Sequence, residues 1–238
     1  MRIKSVMALC RVSNLPTVWM NVITASLLTS HASTLPLNAQ MTFILALSIS
    51  CFYCAGMSLN DVCDFRWDQT HQPYRPIVMG KISLSHAKIM TLGLFVLAFG
   101  LMALAPNSLG LVAALGLFAV IYGYNLWHKR HASSVLLMAG ARALVFVVTG
   151  LALVGELTPW VIAAAAFQFS YTLALTLVGR HESQRGRPYA GPVIPRMIAA
   201  MALLDGAVLA VAVAPIWLVA GAALAFCTRL GQRYVRGD

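Results

Sequence analysis

Residues 41–60 read MTFILALSISCFYCAGMSLN, twenty positions without one charged side chain, and the chain then continues from Asn60 to Asp68 as NDVCDFRWD. At a rise of about 1.5 Å per residue, a run of that length crosses a hydrocarbon core of about 30 Å, so 41–60 is a membrane-spanning helix. Similar runs predict spans at 13–31, 86–105, 108–127, 133–154, 158–178, 193–213 and 215–230. Sixty per cent of the residues are apolar and only 10% are charged, which excludes an ordinary soluble domain. The expected fold is an all-α integral membrane protein, one transmembrane bundle of about eight helices over 1–238 with both ends on one side. No cleavable signal is expected, because no small-residue cleavage site follows the first span.

The net charge of +10 is explained by where the cations fall. Arg2, Lys4 and Arg11 precede the first span; Arg66, Arg75, Lys81 and Lys88 lie between the second and third; Lys129 and Arg130 follow the fourth. Arg180, Arg185, Arg187 and Arg196 follow the sixth span, and Arg229, Arg233 and Arg236 follow the last. The intervening connections near 32–40, 104–109, 155–158 and 213–216 hold no Lys or Arg. By the positive-inside rule the charged connections, including 61–68, face the cytoplasm, and the chain is a multi-pass protein of the cell (inner) membrane. A nucleic-acid partner is not needed to account for the basic balance. Five cysteines on helices or the cytoplasmic face read as reduced thiols, and Cys51-x-x-Cys54 reads as two small buried residues.

Two inner connections, 61–85 and 179–192, are long, and Pro73, Pro76, Pro188, Pro192 and Pro195 break helix in them. The first holds three of only seven acidic residues. On a helical turn Asp61, Asp64 and Asp68 share one face, with Asn60 beside them. Like charges so placed repel, and a partner must compensate. Arg66, Arg75 and Lys81 can do so as salt bridges. Mg²⁺ does it better, because that ion takes one or two carboxylates together with phosphate oxygens. Carboxylates for a metal beside Arg and Lys read as a diphosphate site.

These residues carry a specific resemblance. Asn60-Asp61-x-x-Asp64-x-x-x-Asp68 is similar to the first Asp-rich motif of the UbiA superfamily of membrane prenyltransferases. Arg11-x-x-Asn14-Leu15-Pro16-Thr17, Arg75-Pro76-Ile77 with Gly80, and Tyr122 to Asn125 also resemble that family. The strings Leu126 to Arg130 and Gly179 to Ser183 look more like its EboC branch. The resemblance implies transfer of an isoprenyl group from a prenyl diphosphate to an acceptor that the sequence does not identify, in a bundle bathed in membrane lipid. It implies Asp61, Asp64 and Asp68 as Mg²⁺ ligands and catalytic groups, with Asn60, Arg75, Lys81, Arg180, Asn14 and Arg142 on the diphosphate substrate.

Two departures stand out. Where the family carries a second Asp-rich motif, this chain has Gln168, Leu175 and Gly179, leaving Glu182 as the remaining acid and a candidate substitute or base. A ninth span, usual in the family, is also not expected. The degenerate second motif keeps a second reading open, a non-catalytic isoprenoid or lipid-linked binder or transporter. A membrane alcohol phosphotransferase is disfavoured, because DG-x-x-AR is not found.

Arg142 and Asp205 fall inside predicted spans. An unpaired charge there costs about 2.5–3.5 kcal/mol, so the two are expected to pair or to share a wet cavity, with snorkelling of Arg142 as the alternative. Tyr53, Trp67, Tyr122, Tyr124 and Trp127 read as an interfacial aromatic belt. His128 and His131, at i, i+3, have the spacing of metal ligands, but with Lys129 and Arg130 between them they read as part of a headgroup-facing loop.

Overall fold

A computed structural model describes residues 3–129, 131–186 and 189–235. Arg2, Arg130, Arg187, Pro188 and Arg236, which entered the reading of the sequence, lie outside them. Among the described residues the chain is all helix, with no strand. A short helix α1 (Ile3–Leu9) and a 3-10 turn (Val12–Asn14) lead into α2 (Leu15–Ser33), α3 (Ala39–Cys63) and a second short helix, α4 (Phe65–His71). Then come α5 (Leu84–Met102), α6 (Leu109–Trp127), α7 (Ser134–Val154), α8 (Pro159–Arg185), α9 (Val193–Ala212) and α10 (Trp217–Tyr234).

Each of the eight predicted spans therefore corresponds to a long helix. Six of these, α3 and α5 to α9, are long and apolar enough to cross a membrane. The larger revisions concern the long connections. Residues 65–71 form α4, and α8 runs seven residues past the predicted end of its span, to Arg185. Local chemistry sets the boundaries. The side chains of Asn38, Ser83 and Thr158 accept hydrogen bonds from the backbone N–H groups of Met41, His86 and Val161, capping α3, α5 and α8. Gly155 and Gly186 end α7 and α8 in the left-handed conformation that side chains resist.

Helix α2 is the shared wall of the bundle. Its Val18 and Val22 pack into a core with Leu45, Ile49 and Phe52 of α3, Phe95 of α5, Leu117 of α6 and Val145 of α7. Its Met20, Ala25 and Leu28 pack on the other side against Phe146 of α7, Val161 of α8 and Leu209 of α9. A helix covered on both faces by protein needs less apolar surface than one facing lipid. That explains how α2 carries the buried Thr17, Asn21, Thr24, Ser26 and Thr29. The opposite edge is closed by α9 and α10, whose backbones meet at Gly206 and Gly221; a Cβ on Gly206 would lie 2.8 Å from the Gly221 Cα.

A smaller apolar cluster matters most for function. Leu9 of α1, Ile77, Ile82 and Ala87 pack with Val62 and Phe65. The cluster ties α1 and the 72–83 connection to the junction of α3 and α4, where the aspartates lie.

Candidate active site

Helix α3 stops at Cys63, and Asp64 (φ −85°, ψ 0°) joins it to α4. The hydrogen-bond rhythm survives the joint, because the Asp64 N–H donates to the Asn60 carbonyl and the Asp68 N–H to that of Asp64. The three aspartates thus stay on neighbouring turns, and all three are buried.

Arg75 organises them. Its Nη1 lies 2.7 Å from Asp61 Oδ1 and 3.0 Å from Asp68 Oδ2, and it also donates to Asn60 Oδ1 at 3.2 Å. Its Nε donates to Gln72 Oε1 at 2.6 Å, which fixes the plane of the guanidinium. Arg11 approaches Asp61 from the other side at 3.7 Å. It does so from a left-handed backbone conformation (φ 46°), which costs a residue with a side chain roughly 1–2 kcal/mol. On the far flank Asp64 Oδ2 faces His128 Nε2 at 3.0 Å and Lys129 Nζ at 3.4 Å.

Asp64 and Asp68 respond in opposite ways. Burial pushes Asp64 up, but His128 and Lys129 outweigh it and hold the group below the ordinary carboxylate range. Burial pushes Asp68 up to about 6, because Arg75 offsets the desolvation and the repulsion of its neighbours only in part. Neither carboxyl oxygen of Asp68 receives a hydrogen bond.

Beside Asp61 and Arg75 lies a cavity of about 190 Å³. Lys4, Arg11, Arg75 and Lys81 line it, with Tyr74 and, from the end of α10, Tyr234. Four cations around one carboxylate make it an anion site in charge. Lys81 and Arg75, expected on the diphosphate, both line this cavity; Lys4 and Arg11 were not singled out as ligands, because nothing in their spacing points to the aspartates.

Among the described residues no three His, Cys, Asp or Glu side chains form a ready-made metal cluster. The donor set nevertheless suits Mg²⁺. Asp61 and Asp68 both come within 3.0 Å of Arg75 Nη1, so an ion shared by them would take the place of that guanidinium, and the Asp68 oxygens, which receive no hydrogen bond, are the donors it would gain. An ion that needs only one or two protein carboxylates, and draws its remaining ligands from phosphate and water, fits such a place.

Other sequence-based expectations are revised. Glu182 does not join the aspartates; its Oε1 accepts the Tyr189 N–H at 2.7 Å. Arg180 donates to the Ala132 carbonyl at 2.6 Å. Asn14 is buried, its amide donating to Tyr53 Oη at 3.1 Å and accepting from Gln232 at 3.2 Å. Arg142 is inside the bundle, bonded to Thr17 and to the sulfur of Met201. It makes no ion pair with Asp205, whose two oxygens are held by Asn21 and Gln168 at 2.5 and 2.6 Å. Two neutral amides from α2 and α8 thus satisfy the carboxyl of α9 where an ion pair was expected. Gln168, which stands where the family's second motif has an acid, belongs to this interior knot. His128 leaves the headgroup-facing reading altogether, since it touches Asp64.

The fold and site together define a polytopic helical membrane protein with three buried aspartates, each paired with cations, at one end of a long helix, and a basic cavity beside Asp61. The UbiA prenyltransferase family model matches residues 18–234, and the chain belongs to that family. It is 29% identical over 189 residues to digeranylgeranylglyceryl phosphate synthase of Saccharolobus solfataricus, covering 78% of this chain and 65% of the relative. It is 36% identical over 108 residues to protoheme IX farnesyltransferase of Synechocystis sp., covering 44% of this chain and 34% of the relative. The matched part of the chain thus spans about a third to just under two thirds of the length of those relatives. Among solved structures, a UbiA homologue of Archaeoglobus fulgidus bound to GPP and Mg²⁺ superposes with a TM-score of 0.63 at 16% identity, over 97% of each chain. A digeranylgeranylglyceryl phosphate synthase structure gives the same score, over 98% of this chain and 95% of its own.

Proposed function

We propose that this chain is a Mg²⁺-dependent intramembrane prenyltransferase that moves an isoprenyl group from a prenyl diphosphate to an acceptor. The observation that carries the reading is the meeting of Asp61 and Asp68 at Arg75, against a cavity lined by four cations. The names of the relatives support it, since both the glyceryl phosphate synthase and the farnesyltransferase are prenyl-transferring enzymes.

In this reading Asp61, Asp64 and Asp68 hold the ion, whose charge when bound offsets the negative charge gathering on the leaving diphosphate. Arg75 and Lys81, joined by Lys4 and Arg11, orient the diphosphate and stabilise it as the allylic C–O bond breaks. The prenyl tail lies among apolar helices, where its burial requires no polar partner. The site faces the cytoplasm of a cell whose inner membrane holds the bundle, supported by the one-sided distribution of Lys and Arg. The strings Leu126 to Arg130 and Gly179 to Ser183 support the EboC branch within the family.

One observation favours a second reading. Glu182 and Gln168 are engaged elsewhere, so among the described residues no second set of acids reinforces the centre. A binder or transporter of isoprenoid diphosphates would manage with the first motif alone. Incubating the purified chain with a panel of prenyl diphosphates, Mg²⁺ and membrane extract as a source of acceptor separates the two. Pyrophosphate release above the protein-free rate supports transfer; tight binding without release establishes the binder.

A further inference from the structure

The residues around Asp64 come from three places far apart in the chain. His128 and Lys129 are at the end of α6, on the turn into α7, and both face the same oxygen, Asp64 Oδ2. The other ring nitrogen of His128 lies 3.1 Å from the Tyr124 carbonyl, and its ring stacks on that of Tyr124 at 4.9 Å, so the imidazole is fixed from both sides. Lys129 is fixed as well: its Nζ sits 3.5 Å from the centre of the Trp67 ring, and Trp67 in turn stacks on His71 at 4.0 Å. The turn itself is bolted down twice. Arg180 of α8 donates to the Ala132 carbonyl at 2.6 Å, and the Ser134 hydroxyl donates to the His131 carbonyl at 2.8 Å.

Asp64 needs such support. It sits at the break between α3 and α4, and Asp61 and Asp68 have Arg75 in common whereas Asp64 makes no ion pair with it. We propose that the α6–α7 turn is a positioning arm for Asp64, in which His128 and Lys129 hold Oδ2 so that Oδ1 is presented to a divalent cation. Arg180 is part of the same arm, acting through Ala132. The inference rests on the Mg²⁺-diphosphate reading and assigns functions to three side chains that this reading leaves without one. Partners of this kind orient a metal-binding carboxylate, and their loss typically weakens metal affinity by about 10- to 100-fold.

The test is calorimetric titration of Mg²⁺ into the full-length chain in detergent with inorganic pyrophosphate present. His128→Ala and Lys129→Gln are expected to raise the Mg²⁺ Kd by about 10- to 100-fold and Arg180→Ala by a smaller factor. His128→Gln, which keeps a donor, is expected to recover part of the loss and also serves if His128→Ala fails to fold. In pyrophosphate-release assays the half-saturating Mg²⁺ concentration rises while kcat at saturating Mg²⁺ is retained, a split that a general structural defect would not give. Wild-type affinity in the folded His128 and Lys129 variants overturns the arm and leaves the diphosphate reading intact. Tighter binding in them also overturns it, by making the turn a competitor of the metal. A wild-type chain that does not bind Mg²⁺ overturns both.

Discussion

Replacing Arg75 by Ala removes the group on which two buried carboxylates converge, at 2.7 Å from Asp61 and 3.0 Å from Asp68. Deleting one partner of a buried ion pair typically costs about 3–5 kcal/mol, because the remaining charge stays desolvated. Arg11, 3.7 Å from Asp61, keeps part of the compensation, which puts the loss near the lower end, about 3 kcal/mol. For a chain of this size that corresponds to a fall in thermal midpoint of roughly 6–12 °C. The account makes a second, sharper statement. A divalent cation bound by the stranded carboxylates stabilises the fold by about 2.7 kcal/mol at one hundred times its Kd. Saturating Mg²⁺ with pyrophosphate is therefore expected to restore most of the lost midpoint in Arg75→Ala, monitored by thermal unfolding in detergent with EDTA as the control. A destabilised variant that Mg²⁺ and pyrophosphate leave unmoved would refute the idea that these carboxylates can hold the ion.

Asp68 gives a pH signature. Its folded-state value near 6 lies above the ordinary 3.8, so the folded chain holds that proton more tightly than the unfolded one. Its contribution to stability is full below about pH 4 and is lost as the pH climbs to about 6. Asp68→Asn is accordingly expected to raise the thermal midpoint at pH 7.5 in EDTA and to change it little at pH 4; a fall at pH 7.5 would contradict this. In the bundle interior, Asp205→Leu takes the acceptor of the Asn21 amide and leaves the Gln168 amide only the Met201 carbonyl, at about 1–3 kcal/mol for each stranded N–H, while Asp205→Asn keeps an oxygen for one of them. Equal midpoints for the two variants would show that the amides do not depend on that acceptor. At the crossing of α9 and α10, Gly206→Ala puts a methyl 2.8 Å from the Gly221 backbone and is expected to cost about 1–3 kcal/mol in the same unfolding assay.

The long helices were legible because membrane crossing requires unbroken apolar runs, and their ends follow caps such as Asn38, Ser83 and Thr158. The shared face of the aspartates was legible because helical spacing fixes it, and Arg75 because it lies within fifteen residues of them, in the short connection that follows α4. His128, Lys129, Lys4 and Arg11 were not, since only the packing of distant helices brings them to the centre. The same limit explains the interior. Asp205 was expected to meet Arg142, yet 184 residues of separation hid Asn21, whose amide takes that place with Gln168. Depth along a helix can be counted from the chain, whereas rotation about its axis is set by its neighbours.

The most direct measurement is calorimetric binding of geranylgeranyl diphosphate to the purified chain, with Mg²⁺ and with EDTA, for wild type and Asp64→Asn. The account predicts binding that depends on Mg²⁺ in the wild type and is lost in a variant that still unfolds cooperatively. Equal affinity in all four conditions would mean that the aspartates hold no metal for the diphosphate.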